Sequence, residues 1–147
     1  MKRIFAAVLI GSMIACGGSS NPGTPSPVRE LLGQGNFSLA SLRDANANGV
    51  AFDAWRFEVT TRVAGTLEVQ ADWTFGTSVV GVGLERSPCS FQQFYAGQCS
   101  DITNVGPPSP KPARLSAANL AAGTYVVFIA NAGPNGESGN YQVYLTH

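Results

Sequence analysis

Apolar and polar residues alternate along much of the chain. In Trp55-Arg56-Phe57-Glu58-Val59-Thr60 the odd positions are apolar and the even ones polar, and the same alternation runs from Leu67 through Glu68, Val69, Gln70, Ala71, Asp72, Trp73 and Thr74 to Phe75. A period of two puts successive side chains on opposite faces of a strand, so both segments predict half-buried antiparallel strands. Arg62-Val63-Ala64-Gly65 predicts a turn between them. That turn would set Trp55, Phe57 and Val59 beside Trp73, Ala71 and Val69 on one inner face, with both tryptophans in the core and Asp72 facing Arg56 across a hairpin. Val79 to Leu84 is a third apolar run, and Ala113 to Leu120 returns as a short strand and turn around Leu115. Thr124 to Ala130 and Tyr141 to Thr146 are two clear closing strands, and the turn residues between them, Asn131 to Asn140, predict a second hairpin. No segment has the period of a helix. Asn104 to Pro112, with prolines at 107, 108, 110 and 112, is a crossover that no central strand could accommodate. Several short strands separated by turn signals define the expected fold, an all-β, antiparallel, jelly-roll-like β-sandwich in a single domain.

The first sixteen residues obey a different pattern. Lys2 and Arg3 precede an almost wholly apolar or small run, Ile4 to Ala15, closed by Cys16, the organisation of a secretory signal peptide and too short to span a bilayer. Met13-Ile14-Ala15-Cys16 resembles the bacterial lipobox, with Met13 where leucine is usual. In that motif a small residue precedes a cysteine that is lipidated, as with palmitate, and becomes the mature N-terminus; an ordinary signal peptide cut nearby is the alternative. The expected organisation is a signal peptide over residues 1–15, a flexible Gly/Ser/Pro spacer over 16–36 and the sandwich over 37–147. The resulting protein would sit in the bacterial cell envelope, anchored to a membrane by lipid.

Composition narrows the function. Of 147 residues, cleavage before Cys16 removes 15 and leaves 132, with seven basic side chains against nine acidic ones and no run of either sign. A nucleic-acid partner, which needs a basic footprint, is thereby excluded. With Cys16 assigned to lipid, Cys89 and Cys99 remain, ten positions apart and flanked by Pro88 and Gly97, and in an oxidising compartment they read as a disulfide. A catalytic constellation is missing. The one histidine is His147, and no Gly-x-Ser-x-Gly, His-Glu-x-x-His or phosphate-cradling glycine loop occurs, so the chain reads as a non-enzyme. Asp53, Asp72 and Asp101 read as solvated surface.

Leu120-Ala121-Ala122-Gly123-Thr124-Tyr125-Val126-Val127 and Ser138-Gly139-Asn140-Tyr141-Gln142-Val143-Tyr144-Leu145 resemble the paired closing strands of bacterial pre-peptidase C-terminal domains, and Phe57 to Val59 with Gly65 to Val69 resemble their opening pair. The resemblance covers roughly Ala51 to His147 and implies a small β-sandwich of the sort that accompanies secreted hydrolases. The family's acidic Asp-x-Asp middle strand is replaced here by Val80-Gly81-Val82-Gly83-Leu84. Such a module would bind or associate with the envelope without catalysis, its partner an extracellular polymer or protein; the alternative is an accessory or inhibitor subunit acting with a secreted hydrolase or protease.

Three candidate surfaces remain. The disulfide loop encloses Phe91, Phe94 and Tyr95, which either stack on a ligand or turn inward to cap the sandwich. Phe128 and Tyr144, with Val126, fall on the face of the closing strands opposite Tyr125, Val127, Ile129, Val143 and Leu145, and form either a contact patch or a face covered by the proline crossover. Asp44-Ala45-Asn46-Ala47-Asn48-Gly49 matches the first half of a calcium loop, which would need Asp44, Asn46 and Asn48 with help from Asp53; a plain Asn/Gly turn explains the same residues. No other cofactor is implied. Replacing Cys16 with serine is expected to move the protein from the membrane fraction to the soluble one, and labelled palmitate should enter the wild type and not the variant.

Overall fold

The computed structural model describes residues 26–106 and 110–147. Cys16, the expected signal peptide and the Pro107-Pro108 part of the crossover lie outside them. Eight strands form two four-stranded antiparallel sheets packed face to face. One has the order β1-β8-β3-β6, from β1 (Arg29–Leu39), β8 (Glu137–Thr146), β3 (Gly65–Trp73) and β6 (Ala113–Leu120); the other has the order β2-β7-β4-β5, from β2 (Asp53–Thr61), β7 (Gly123–Asn131), β4 (Val80–Arg86) and β5 (Asp101–Val105). Every connection except β4 to β5 passes from one sheet to the other, which is the jelly-roll arrangement.

The strands read from the sequence fall where expected, and their inward positions, among them Leu67, Val69, Trp73, Val127, Ile129, Val143 and Leu145, build one core together with Phe37 and Leu39 of β1. Neither expected hairpin forms. β2 pairs with β7 and β3 pairs with β8 and β6, so the Arg62–Ala64 turn arches between sheets and β7 likewise crosses to β8. An arch and a hairpin produce the same alternation, because each keeps the apolar side of both strands inward. Two consequences correct the sequence reading. Asp72 lies within 3.5 Å of the Lys111 ammonium instead of facing Arg56. Trp73 is buried and donates from Nε1 to the Phe75 carbonyl (2.8 Å), whereas Trp55, near the start of an edge strand, is 38% exposed.

The expected spacer is shorter than predicted. Arg29 to Asn36 form most of β1, pairing with β8 from Thr146 to Asn140 around a bulge between Leu31 and Gly33. Gly35 makes room here, since a β-carbon at that position would collide with the Tyr141 side chain, which stacks on Phe57 across the sandwich at 4.1 Å. Two short helices also interrupt the strands, α1 (Leu42–Ala47) and α2 (Phe91–Tyr95).

Buried polar groups fix the β7–β8 arch. Asn131 donates to the carbonyls of Ala40 and Asn135 (both 2.8 Å) and accepts from the Gly133 amide. Glu137, also buried, accepts from the amides of Thr74 (3.1 Å) and Phe75 (3.2 Å) and from the Ser78 hydroxyl, so its carboxylate holds the β3–β4 loop against the arch. Glu137→Ala should lower the unfolding free energy in urea by about 3 kcal/mol, because donors to a charged acceptor would lose it inside the fold; Glu137→Gln, which keeps an acceptor oxygen, should lose distinctly less.

Candidate functional site

The outer face of the β2-β7-β4-β5 sheet holds a second apolar cluster. Val126 and Phe128 point outward from β7 and are nonetheless fully buried, together with Ala54 and Cys89 and with Phe52, Phe94 and Tyr95 packed around them. Their cover is the Cys89–Cys99 loop, whose disulfide is formed. Ser90 caps α2 by accepting from the Gln93 amide (3.2 Å), while the Gln93 side chain accepts from the Ser90 amide (2.8 Å), a reciprocal capping box. Gly97, at φ +65°, supplies the left-handed residue that ends the helix. The loop's base is pinned by the Arg56 Nε, which donates to the Cys89 carbonyl (2.7 Å), and by the Arg86 amide, which donates to the Ser100 carbonyl (3.0 Å).

Within this cover the three aromatics divide. Phe94 lies flat on Phe128, with ring centres 3.8 Å apart and planes within 3°. Tyr95 packs against Phe52 at 5.2 Å, and its hydroxyl pKa is raised, first by burial and then by the nearby Asp53. Phe91 remains 42% exposed, its ring edge against Phe128 at 5.8 Å. Phe94 and Tyr95 are therefore mainly packing residues, partly buried, and Phe91 is the most exposed of the three. The expected patch joining Phe128 to Tyr144 does not exist. Phe128 is covered, and Tyr144 belongs to the other sheet, where the Arg29 guanidinium sits 3.5 Å above its ring. The cover of Val126 and Phe128 is the disulfide loop instead of the proline crossover.

The calcium reading is also corrected. Asp44 to Ala47 are helical, Ser41 caps the helix by accepting from the Asp44 amide, and the Ser41 hydroxyl donates to the Asp44 carboxylate (2.7 Å). Asn48 is the C-cap, its side chain donating to the Asp44 carbonyl (2.9 Å), and Asp53 accepts from the amides of Ala40 (2.6 Å) and Ala54 (3.0 Å). Asp44, Asn46 and Asn48 thus lie in and beside a helical turn, not a cation-wrapping loop, and Asp53 ties β1 to β2. Among the described residues no three His, Cys, Asp or Glu side chains gather as a metal set.

Beside the aromatic cover lies an open pocket of about 340 Å³. Its floor is the outward side of β4, Gly81, Gly83 and Glu85; Phe94 and the loop residues Gly97 and Cys99 form one wall, and Asp101 and Asn104 of β5 the other. Register sets these neighbours, since Gly83 stands opposite Phe128 on one side and Asn104 on the other, and Glu85 stands opposite Val126 and Asp101. Glu85 is only 5% exposed, and its Oε2 has no hydrogen-bond partner. Asp101 accepts from the Asn104 side-chain amide (2.8 Å). Burial, and secondarily the negative Asp101, push the Glu85 pKa up from 4.5 to about 7.

Sequence reasoning found the loop and missed the pocket. The signal was present in β4, where Val80, Val82 and Leu84 alternate with Gly81, Gly83 and Glu85, because glycines on an outward face leave the sheet bare. Phe52 and Asp101 carry no such pattern.

No protein-family model matches the chain, and no curated protein matches it either. Among solved structures, the crystal structure of Aeromonas hydrophila PliG, a periplasmic lysozyme inhibitor of g-type lysozyme, is similar at a TM-score of 0.48 and 14% identity, over 81% of this chain and 86% of that one. A likeness that distant transfers no function.

A raised carboxyl pKa in the folded state means that the native protein binds the Glu85 proton more tightly than the unfolded chain does. The associated stability is complete below pH 4.5, falls as pH rises toward about 7 and is level above that. Urea denaturation at pH 4.5 and pH 8 should show this loss, about 3 kcal/mol, in the wild type relative to Glu85→Gln, whose own profile lacks the Glu85 contribution.

Proposed function

We propose that the chain is an exported, lipid-anchored, non-catalytic module of the pre-peptidase C-terminal kind, and that it binds another envelope component through the Phe91 edge of the disulfide loop and the adjoining Glu85 pocket. The observation that carries this reading is the unpartnered, buried Glu85 carboxyl in an open pocket. Leaving such a group without a partner costs stability, and burial of this sort gathers where a ligand completes the set. The lipobox-like segment supports export, as does the disulfide.

Binding suits the geometry better than catalysis. Glu85 and Asp101 come from neighbouring strands and lie side by side, whereas the acid and base carboxyls of a glycoside hydrolase flank the bond from two sides. No histidine stands near them, since the one histidine, His147, directly follows β8 of the other sheet.

Immobilised wild-type protein, presented with envelope extract and with glycan arrays, should retain a species that Phe91→Ala and Gly83→Leu release. Phe91→Ala should leave stability within about 0.5 kcal/mol, as exposed substitutions do, while Phe94→Ala should cost about 3 kcal/mol, because it empties the contact over Phe128. Retention unchanged in both Phe91→Ala and Gly83→Leu would overturn the assignment of this face.

A further inference from the structure

The structure assigns the Glu85 pocket to a lysine side chain of a protein partner, its ammonium seated between the carboxyls of Glu85 and Asp101 and its methylene stem laid along Gly81, Gly83 and the edge of Phe94. This inference rests on the binding reading above and names its ligand.

Charge selects a cation. Oε2 of Glu85 is buried without a partner, and the charged group facing it from β5 is a second carboxylate, Asp101. From β7 it faces Val126, and from the disulfide loop the pocket receives Phe94, Gly97 and Cys99, none of them charged. The nearest cations on the sheet are engaged or outward: Arg56 on β2 is paired with Glu58 and bound to the Cys89 carbonyl, and Arg86, next along β4, is exposed. A buried carboxylate lacking a counter-ion is stabilised most by one that arrives with the ligand.

Shape selects an alkyl stem. Apart from Asn104, whose amide is engaged with Asp101, the rest of the pocket is glycine, Val82, Val105, Phe94, Phe128, Ala130 and the Cys99 end of the disulfide, a mainly apolar channel that suits the four methylenes of lysine with the charge at its tip. A guanidinium would be less well matched, because its planar fork is satisfied by two oxygens of one carboxylate presented together, and here the acceptors come from two residues. A phosphoethanolamine headgroup carries the same ammonium on two carbons beside a phosphate, which Asp101 and Glu85 would repel. The lysine source is therefore favoured over a lipid surface.

Below about pH 7, ligand binding must also displace a proton. Glu85 titrates near pH 7 in the free protein, and the ionised form is the one that attracts an ammonium, whose own proton stays in place up to about pH 10. Apparent affinity then follows the ionised fraction of Glu85, and between pH 8 and pH 5 it should fall roughly 90-fold.

The test is a heteronuclear NMR titration of the exported, disulfide-bonded chain with Nα-acetyl-lysine methylamide, and with norleucine, arginine and phosphoethanolamine counterparts. The lysine probe should move the amide resonances of Gly81, Gly83, Glu85 and Asn104 and bind at least tenfold more tightly than the other three. Glu85→Gln should weaken the lysine probe by at least tenfold, and Gly83→Leu, which fills the channel and whose β-carbon comes into van der Waals contact with the Glu85 carboxyl, should do the same; both variants are checked for an unchanged fold by their remaining resonances. Equal binding of norleucine, or lysine binding indifferent to both variants and to pH, would overturn the proposal. Tighter binding of phosphoethanolamine would overturn it in favour of a lipid surface. The two readings fail separately. A lysine probe that binds while no envelope partner is retained leaves the ligand class and removes the module's proposed role; a partner whose retention survives Glu85→Gln does the reverse.

Discussion

The constraint on which this architecture turns is that β7 is apolar on both sides. Tyr125, Val127 and Ile129 face the interior of the sandwich while Val126 and Phe128 face away from it, and all five are buried. A sheet with one wet face would leave Val126 and Phe128 in water, at a cost of roughly 1.5–3 kcal/mol for each large apolar side chain. The disulfide loop removes that cost by laying Phe94 flat on Phe128, and the remaining features of this face follow from it. The capping box keeps α2 helical so that Phe94 and Tyr95 point down together. Arg56 and the Arg86 amide hold the two legs of the loop to the strands below. The cover stops short over β4, and there the bare glycines leave the pocket in which Glu85 is caught without a partner.

Burial was legible in the chain and partnership was not. Alternation located β2, β3 and β8 because the period of two depends only on which side of a strand is dry, and β7 was legible as a continuous apolar run bounded by turn residues. Which strands pair depends on whether a turn folds back in the same sheet or arches over to the other, and Arg62-Val63-Ala64-Gly65 permits either. The same limit explains Trp55 and Trp73. Both are in phase with an inward face, but β3 is flanked by β8 and β6 while β2 is an edge strand, so one indole is enclosed and the other partly wet. β1 was hidden for a different reason: Leu31-Leu32-Gly33-Gln34-Gly35 does not alternate, because a bulge shifts its register and Gly35 yields its side-chain space to Tyr141.

The aromatic loop was visible as three rings between two cysteines, yet its division of labour was set by distant residues. Phe94 is a packing residue because Phe128 lies under it, and Tyr95 because Phe52 lies beside it. Asp44 and Asn48 imitate the start of a cation loop in one dimension and serve a helical turn in three, since a serine at the N-cap competes successfully for the same geometry. Glu85 escaped notice because a single carboxyl in a strand is ordinarily solvated, whereas this one is buried at the floor of its pocket.

The pairing of the first and last strands has a bearing on how the molecule would stand. The amide of Val28 donates to the His147 carbonyl (2.8 Å) and the amide of His147 to the Val28 carbonyl (3.0 Å), so the chain enters and leaves the sandwich at one pole. The opposite pole carries the β7–β8 arch and the loop held by Glu137. A segment arriving at Val28 would therefore join the sandwich at the pole opposite the loops that Glu137 holds, which leaves those loops as the end farthest from the point of entry.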